Sequence, residues 1–322
     1  MTKAAQADRG RSAGIVISII SASSNQLGAA TGSLAFPVVG PVGVVAVRQL
    51  VAAAVLLPLV RPQVRSMTRA QWWPVLLLAV VFGTMNLTLY SAVERVGLGL
   101  AVTLEFLGPL AVALFSSRTR TSAAGAVIAG AGVVAIARPE PTTDYLGIGL
   151  GIIAACSWAA YILLNRTIGA RVPGVQGTAT ATGVSAMLFL PIAVLIFITK
   201  QPGTFTLLCA VAAGVLASVV PFVADLLALR RVPAGLFGIL MSLNPVLAAL
   251  IGVALLHEAL GAIEWAGIAL IVTANAIALL YSRDRSASRQ HDADASALPQ
   301  VDGFELSPSG STRPQVDDPT HS

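Results

Sequence analysis

The sequence has few charged residues for its length. Of its 322 residues, 11% are charged and 56% are hydrophobic, whereas a soluble domain carries about 25% charged residues. The shortage lies mainly in positions 12–282, which hold 20 of the 35 charged side chains, while positions 283–322 hold 11. Because so long a stretch with so few charges cannot form a soluble surface, positions 12–282 are predicted to lie in a membrane between short polar ends.

Cysteine and histidine are also scarce, which argues against several other classes. Cys156 and Cys209 both fall inside apolar runs, where core packing is the expected role and a disulfide or metal site is not. Two of the three histidines lie near the C-terminus and no HExxH spacing occurs, so neither a zinc site nor another cofactor is predicted. Lys and Arg exceed the acids by 20 to 15, but they are dispersed, so no nucleic-acid partner is predicted.

Long apolar runs fill the remainder of the chain. A spanning helix needs about 20 mostly apolar residues, and the runs are continuous, unlike the alternating strands of a membrane β-barrel. The predicted fold is therefore an all-α integral membrane protein with ten transmembrane helices. The predicted segments are 13–34, 41–60, 72–92, 99–115, 122–138, 146–165, 175–199, 205–229, 234–256 and 262–281.

The first segment has an alternative interpretation as a cleaved signal peptide ending at Ser33-Leu34-Ala35. Polar residues at position 21 and at positions 23–26 interrupt its apolar core, which favours a first membrane helix.

Basic residues alternate between the predicted loops. Loops 61–71, 116–121, 166–174 and 230–233, with the two termini, carry 16 Lys and Arg residues, whereas the intervening loops carry only Arg95, Arg138 and Lys200. Because Lys and Arg are enriched on the cytoplasmic side of a membrane, both termini are predicted to be cytoplasmic. The alternation also supports ten segments, since a missed helix would disturb it.

The two halves of the chain resemble each other. Arg95–Leu114 aligns without a gap with Arg231–Leu250 and matches it at nine of 20 positions, including Pro109 with Pro245. Since each copy would hold five helices, an odd number, the second copy enters the membrane from the opposite side. Inverted repeats are a recurring plan of secondary transporters, although duplication could also serve only to build a stable bundle.

The predicted organisation follows from this repeat. Its parts are a cytoplasmic N-terminus at 1–12, a first repeat at 13–138, an extracytoplasmic linker at 139–145, a second repeat at 146–281 and a disordered cytoplasmic tail at 282–322. The tail is rich in Ser, Asp, Pro and Gln and lacks apolar periodicity.

Three charged residues lie away from the ends of predicted helices, where an ionisable side chain needs a partner or a function. Arg48 could pair with Glu105 or with loosened backbone carbonyls, or it could clamp a substrate carboxylate. Glu105 could carry a coupling proton, hold an ammonium group or form a structural ion pair. Asp225 has the same alternatives but lies nearer the inner end of its helix.

Uncharged polar residues and prolines occur at similar depths. Asn86 with Tyr90, and Trp158 with Tyr161, are spaced to share helix faces. Together these residues predict a wet, polar cavity for a small-molecule substrate. Its candidate lining residues are Glu105, Asp225, Arg48, Asn86, Tyr90, Trp158, Tyr161, Asn244, Gln26 and Ser23, and the predicted helix breaks are at Pro109, Pro221 and Pro245.

Several of these stretches resemble a known family. Glu94–Arg118, Phe36–Arg48, Cys156–Leu163 and Met241–Ala248 are similar to the threonine/homoserine exporter group, in the EamA branch of the drug/metabolite transporter superfamily. Carried over by position, Arg48, Asn86, Tyr90, Glu105, Trp158, Tyr161 and Asp225 match the family pattern. Two departures are Asn244, where an acid is usual, and the shorter Asp225, where glutamate is usual.

The resemblance implies ten helices in two EamA repeats, an inner-membrane location and efflux of small metabolites such as amino acids, coupled to protons. The sequence thus predicts a secondary exporter working by alternating access, with the lipid bilayer and protons as partners and no enzymatic activity. One alternative is export of drugs, aromatic compounds or other metabolites. Another is a membrane enzyme acting on lipids, for which His257 and Glu258 are the only candidate residues.

Overall fold

A computed structural model describes residues 3–117, 144–172, 175–229 and 243–273, with isolated positions at 128, 131, 231, 240 and 241. All regular structure in these ranges is helical, which confirms the all-α prediction for this part of the chain. The predicted segment at 122–138, apart from positions 128 and 131, and the predicted tail at 282–322 lie outside the described residues.

In the described ranges, three long helices are followed by two short ones, and two further long helices are followed by four short ones. The helices are α1 (Lys3–Ser33), α2 (Phe36–Val60), α3 (Arg69–Val96), α4 (Leu98–Glu105), α5 (Leu107–Ser117), α6 (Tyr145–Gly169), α7 (Gln176–Lys200), α8 (Thr204–Gly214), α9 (Val220–Leu229), α10 (Asn244–Leu256) and α11 (Ala262–Thr273). A 3-10 turn at Val64–Ser66 precedes α3, and a π-turn at Val215–Val219 joins α8 to α9.

Six of the described helices are long and apolar enough to cross a membrane. They are Ser12–Ser33, Phe36–Val60, Arg69–Val96, Tyr145–Gly169, Gln176–Lys200 and Thr204–Asp225. Three shorter apolar helices are Leu98–Val112, Asn244–Leu256 and Ala262–Thr273. All nine overlap predicted segments.

Helix interruptions stand just before three prolines. The chain leaves the helix at Phe106, shortly before Pro109, and it forms the π-turn immediately before Pro221. A further helix, α10, begins with Asn244 and Pro245. Proline causes such breaks because it has no N–H and its ring collides with the carbonyl one turn earlier.

The helices pack in defined pairs. The most extensive contacts are α3 with α6, α2 with α7, α1 with α9, α4 with α10, and α3 with α7. Two glycines permit close approach near the centre: a Cβ at Gly28 would overlap Ala217, and a Cβ at Gly108 would overlap the Ala155 carbonyl. These contacts bring α1 against the π-turn and α5 against α6.

The two ends of α3 mark the two ends of the bundle. At one end, Arg171 donates to the Ala70 carbonyl at 3.0 Å, and its guanidinium lies 5.2 Å from the ring centre of Trp73. We call this the basic end. At the other end, Arg95 and Asp144 form a salt bridge of 2.9 Å, and a hydrogen bond from the Gly147 backbone lowers the pKa of Asp144, with Arg95 adding to the effect.

Candidate translocation site

Two cavities meet at Arg48 in the interior of the bundle. The larger cavity, of about 360 Å³, extends toward the basic end and is lined by residues that include Arg48, Phe82, Tyr161, Thr178, Thr182, Ser218, Phe222 and Asp225. The smaller cavity, of about 90 Å³, is lined by residues that include Asn25, Gln26, Arg48, Met85, Asn86, Glu105, Phe106 and Trp158. Arg48 therefore contributes to both walls.

The guanidinium of Arg48 is held by the π-turn. Its Nη2 donates to the Ala217 carbonyl at 2.7 Å, and its Nε donates to the Ser218 hydroxyl at 2.9 Å. Ala217 lies one helical turn before Pro221, which has no N–H to offer that carbonyl in a helix. Arg48 therefore satisfies a carbonyl that the proline leaves free, which is one of the alternatives predicted for it.

Ser24 satisfies the backbone carbonyl that precedes that of Ala217 in the chain. The π-turn has a hydrogen bond from the Val220 N–H to the Val215 carbonyl, and the next bond in that register would need an N–H on Pro221. The carbonyl left over is that of Leu216, and the Ser24 hydroxyl donates to it at 2.7 Å. Side chains of α1 and α2 thus stabilise the break in the opposite half of the chain.

The aromatic ring of Tyr90 faces the guanidinium of Arg48. The Arg48 guanidinium is 5.3 Å from the centre of the Tyr90 ring, within the range of a cation–π interaction. The ring is fully buried and packs edge-on against Phe36, with centroids 5.9 Å apart. Its hydroxyl has no hydrogen-bond partner among the described residues. Tyr90 therefore positions Arg48 through its ring face.

Glu105 ends α4 and faces the smaller cavity. Its side chain is buried, at 6% exposure, and within the described ranges no hydrogen bond or ion pair engages its carboxylate. The ion pair with Arg48, one predicted alternative, is not formed, because the guanidinium is directed to Ala217 and Ser218. The two groups instead share a cavity, and the carboxylate retains its capacity to accept hydrogen bonds.

Asp225 lies in the larger cavity. Its carboxylate accepts a hydrogen bond from the Ser21 hydroxyl at 2.5 Å, which joins α9 to α1. The rings of Phe82, Tyr161 and Phe222 line the same cavity. The larger cavity therefore combines a cation, a carboxylate and aromatic surface.

An amide pair connects α1 to α10. Gln26 Nε2 donates to Asn244 Oδ1 at 2.8 Å, and Asn244 Nδ2 donates to the Met241 carbonyl at 2.8 Å. Met241 lies one helical turn before Pro245, so Asn244 satisfies the carbonyl that this proline leaves free. The asparagine at this position supplies a donor that an acid would lack.

The predicted site residues fall into three groups. Arg48, Tyr161 and Asp225 line the larger cavity. Gln26, Arg48, Asn86, Glu105 and Trp158 line the smaller one, where Asn86 donates to the Phe82 carbonyl at 2.8 Å and Trp158 packs against Phe106. Tyr90, Asn244 and Ser23 are outside both sets of lining residues.

Several residues that make these contacts are not among the predicted lining residues. Ser21 and Ser24, on either side of Ser23, bond to Asp225 and Leu216. Thr178 and Thr182 line the larger cavity, and their spacing of one helical turn places them on one helix face. Ser218 lies in the turn before Pro221, where a freed carbonyl was already expected. The one-turn spacing of Thr178 and Thr182 and the position of Ser218 before Pro221 were the sequence signals available for these residues.

Comparisons with known proteins place the chain in a family. It is 33% identical over 281 residues to the threonine/homoserine exporter RhtA of Escherichia coli (strain K12), covering 86% of this chain and 95% of that protein. The RhtA of Salmonella typhimurium (strain LT2) matches with the same identity and coverage. The EamA-like transporter family profile matches residues 145–280. The chain belongs to the EamA-like transporter family.

A solved crystal structure has the same kind of fold as this EamA-like chain. It superposes with a TM-score of 0.56 at 23% identity, covering 85% of this chain and 99% of the other. At this identity the likeness shows the fold alone.

One further acidic residue supports the α4 helix of this EamA-like protein. The Glu258 carboxylate accepts hydrogen bonds from the backbone N–H groups of Leu98, at 2.6 Å, and Gly99, at 3.4 Å. A carboxylate at a helix N-terminus is stabilising, because the free N–H groups and the helix dipole favour negative charge. His257 stands at the end of α10 with a positive φ of 55°. Of the two candidates for a lipid-modifying enzyme, Glu258 thus has a structural role, and the named relatives are transporters.

Proposed function

We propose that this protein is a secondary exporter of small metabolites, with amino acids such as threonine and homoserine as its substrates. It works by alternating access and is coupled to protons. The observation that carries the proposal is the convergence of Arg48, Glu105 and Asp225 on two cavities that share Arg48, in a chain one third identical to threonine/homoserine exporters over most of its length.

The helix pairing supports two inverted five-helix repeats. Under the alignment that places Arg95–Leu114 over Arg231–Leu250, α1 corresponds to α6, α2 to α7, and α3 to the region of α8 and α9. The pair of α3 with α6 then corresponds to the pair of α9 with α1, the pair of α3 with α7 corresponds to the pair of α8 with α2, and the pair of α2 with α7 corresponds to itself. A pseudo-two-fold axis relates the two halves of the chain, so it is expected to map helix pairs onto one another in this way. In this proposal the unplaced segment at 122–138 completes the first repeat.

The charge distribution supports a membrane orientation. Among the described residues, the basic end carries Arg61, Arg65, Arg69 and Arg171. The positive-inside rule predicts that this end, together with both termini, faces the cytoplasmic side of the inner membrane. The larger cavity extends toward this end and falls within the roughly 300–1,000 Å³ of small-molecule sites. We therefore assign this conformation to the state that loads substrate from the cytoplasm.

The cavity chemistry supports a small zwitterion as substrate. In the proposed cycle, the substrate carboxylate approaches Arg48, whose guanidinium has donors to spare beyond its two bonds. Its ammonium group is attracted to the free carboxylate of Glu105 when the smaller cavity widens. Protonation of Glu105 or Asp225 would weaken that attraction and promote release. This sequence of events links proton binding to the outward movement of substrate.

A substitution at Glu105 tests the coupling. Purified Glu105→Gln is reconstituted into vesicles loaded with radiolabelled threonine or homoserine, and efflux is measured with and without a pH gradient. We expect the pH-driven part of transport to disappear because glutamine cannot carry the proton. Glu264→Gln is the matched control, since Glu264 bonds to the nearby Gly261 N–H outside both cavities. Full pH-driven efflux by Glu105→Gln would refute the assigned role.

A second candidate is an EamA-type exporter of aromatic or drug-like compounds. The observation favouring it is the ring-lined wall of the larger cavity, formed by Phe82, Tyr161 and Phe222. Growth of cells overproducing the protein on toxic amino-acid analogues and on cationic dyes separates the two. Resistance to the analogues alone supports the amino-acid proposal, and resistance to dyes alone supports the second candidate.

A further inference from the structure

A third cavity opens on the outside of the bundle, and none of its lining residues lines either translocation cavity. It has a volume of about 700 Å³ and is bounded by the end of α2, the start of α3 and the first half of α7. We call it the lateral groove. Its lining includes Leu57, Arg61, Arg65, Trp72, Gly183 and Met187.

The groove has a polar, basic mouth. Arg61 and Arg65 line it and are exposed. Arg61 is fixed at the end of α2, where its backbone N–H donates to the Leu57 carbonyl at 2.8 Å with φ at +47°. The chain has no Asp or Glu at positions 9–93 or 145–224, so no acid in the segments that form the groove offsets this positive charge.

The rest of the groove is apolar and runs toward the middle of the membrane. Because a helix rises 1.5 Å per residue, Thr180 and Met187 lie about 6 and 16 Å from the start of α7 at Gln176. Met187 is 73% exposed, and its neighbour Leu188 is 54% exposed. Trp72 lies beside the basic mouth, at the level where tryptophan is enriched in membrane proteins. The groove therefore begins among charged groups and continues along surface suited to a hydrocarbon chain.

We propose that the lateral groove binds an anionic phospholipid. Its phosphate would lie between Arg61 and Arg65, and an acyl chain would follow Leu57, Gly183 and Met187 inward. Arginine suits this role because its planar guanidinium donates two parallel hydrogen bonds to phosphate oxygens. Basic pockets between membrane helices on the cytoplasmic side are a known arrangement for anionic headgroups. Charge complementarity selects an anionic lipid over a zwitterionic one.

The test compares lipids on the full-length protein. Protein in phosphatidylcholine nanodiscs is titrated with phosphatidylglycerol, and binding is followed by native mass spectrometry and by tryptophan fluorescence. The test variant is the double substitution Arg61→Asn and Arg65→Gln, with asparagine chosen because it tolerates a positive φ. Arg69→Gln is the matched control, since Arg69 is an exposed arginine of the same loop region that does not line the groove.

We expect the double variant to bind phosphatidylglycerol about 30-fold more weakly. Each basic residue near an anionic surface contributes about 1 kcal/mol, and 1.4 kcal/mol is a tenfold change. Arg69→Gln should retain at least half of the parent affinity, and the preference should weaken with salt. An unchanged profile on size-exclusion chromatography shows that the double variant is folded.

Three results would overturn the proposal. Equal affinity for phosphatidylcholine would show an apolar groove with no headgroup selection. Binding of inorganic phosphate or glycerol phosphate as strong as that of phosphatidylglycerol would show a soluble-anion site with no role for the acyl chain. The same loss in Arg69→Gln as in the double variant would show diffuse surface attraction. If the double variant does not fold, the single Arg65→Gln substitution tests the same point with an expected loss of about fivefold.

Discussion

The carboxylate of Glu258 accepts a hydrogen bond of 2.6 Å from the backbone N–H of Leu98, a residue 160 positions earlier in the chain. Leu98 begins α4, and Glu105 ends it, about 10 Å further along at 1.5 Å per residue. Gly97, with φ at +82°, lets the chain turn into α4 beneath this carboxylate. The segment after α10 therefore fixes the helix that presents Glu105 to the smaller cavity.

Replacing Glu258 by alanine should loosen the start of α4. The change removes the acceptor for the Leu98 and Gly99 N–H groups and is expected to destabilise the protein by about 1 kcal/mol, the usual effect of losing a helix cap. Hydrogen exchange followed by mass spectrometry should show faster exchange in the peptide that covers residues 97–105.

The control for this prediction is Glu264→Ala. Glu264 Oε2 accepts a hydrogen bond from the Gly261 N–H at 2.6 Å, so it caps its own helix. This variant should lose similar stability without changing exchange at Leu98. If exchange at 97–105 is equally slow in the parent and in Glu258→Ala, the capping role assigned to Glu258 is incorrect.

Arg48 and Pro221 should be energetically coupled. Arg48→Gln removes the donor to Ala217, so in the parent it leaves a buried carbonyl without a partner, at a cost of about 1–3 kcal/mol. In a Pro221→Ala background, residue 221 regains a backbone N–H that can serve the freed carbonyls of the π-turn. The loss caused by Arg48→Gln should therefore be smaller there, by about 1 kcal/mol.

Thermal unfolding of the four proteins in a double-mutant cycle measures this coupling. Pro191→Ala is the matched control, because Pro191 also lies inside a helix but is on α7, away from the Arg48 contacts. Arg48→Gln should lose as much stability with Pro191→Ala as in the parent. Additive effects of Arg48→Gln and Pro221→Ala would contradict the proposed exchange of donors.

Asp144 should make stability depend on pH in the acid range. The Gly147 N–H and Arg95 lower the pKa of Asp144 in the folded protein below its usual value of about 3.9. A carboxyl group with a lowered folded pKa stabilises the fold fully above its ordinary pKa, and this contribution is lost as the pH falls through the folded value. The melting temperature of the parent should therefore fall below pH about 4, and this part of the fall should be absent in Asp144→Asn.

Melting temperatures of parent and variant from pH about 6 down to the acid limit of solubility test this sign. Glu94→Gln is the control, because Glu94 is an exposed acid next to Arg95 in the chain but not part of the Arg95–Asp144 bridge. It should leave the acid slope unchanged. A slope in Asp144→Asn as steep as in the parent would contradict the role of this carboxylate.

The fold was predictable where apolar length decides the outcome. The stretches around Val44, Leu78 and Ala186 are long, continuous and almost free of charge, and such a stretch satisfies its backbone polar groups in a membrane only as a helix. The interruptions were predictable from Pro109, Pro221 and Pro245, because a missing N–H is a property of the residue itself. Which side chains replace the missing donors was left open: Arg48 had several possible partners, and at the π-turn the contacts of Arg48 and Ser24 come from helices distant in the chain.

The site was predictable only in part for the same reason. Arg48, Glu105 and Asp225 stood out because they lie within predicted membrane helices, and a charge inside an apolar run needs a partner or a function. Ser23 was predicted to line the cavity, but its neighbours Ser21 and Ser24 are the serines that bond to the opposite half of the chain. Rotation of α1 against α9 decides that Ser21 and Ser24 meet Asp225 and Leu216, and rotation depends on packing between helices.

The sequence by itself determined that the chain is a helical membrane protein, where its helices break and which few charges lie at depth. These are consequences of composition, local spacing and covalent structure. Only the tertiary structure decided that Arg48 turns toward the freed carbonyl of Ala217 and away from Glu105, and that Glu258 caps α4. These contacts join residues at least 160 positions apart, and their partners are set by how helices pack, which short-range sequence patterns do not encode.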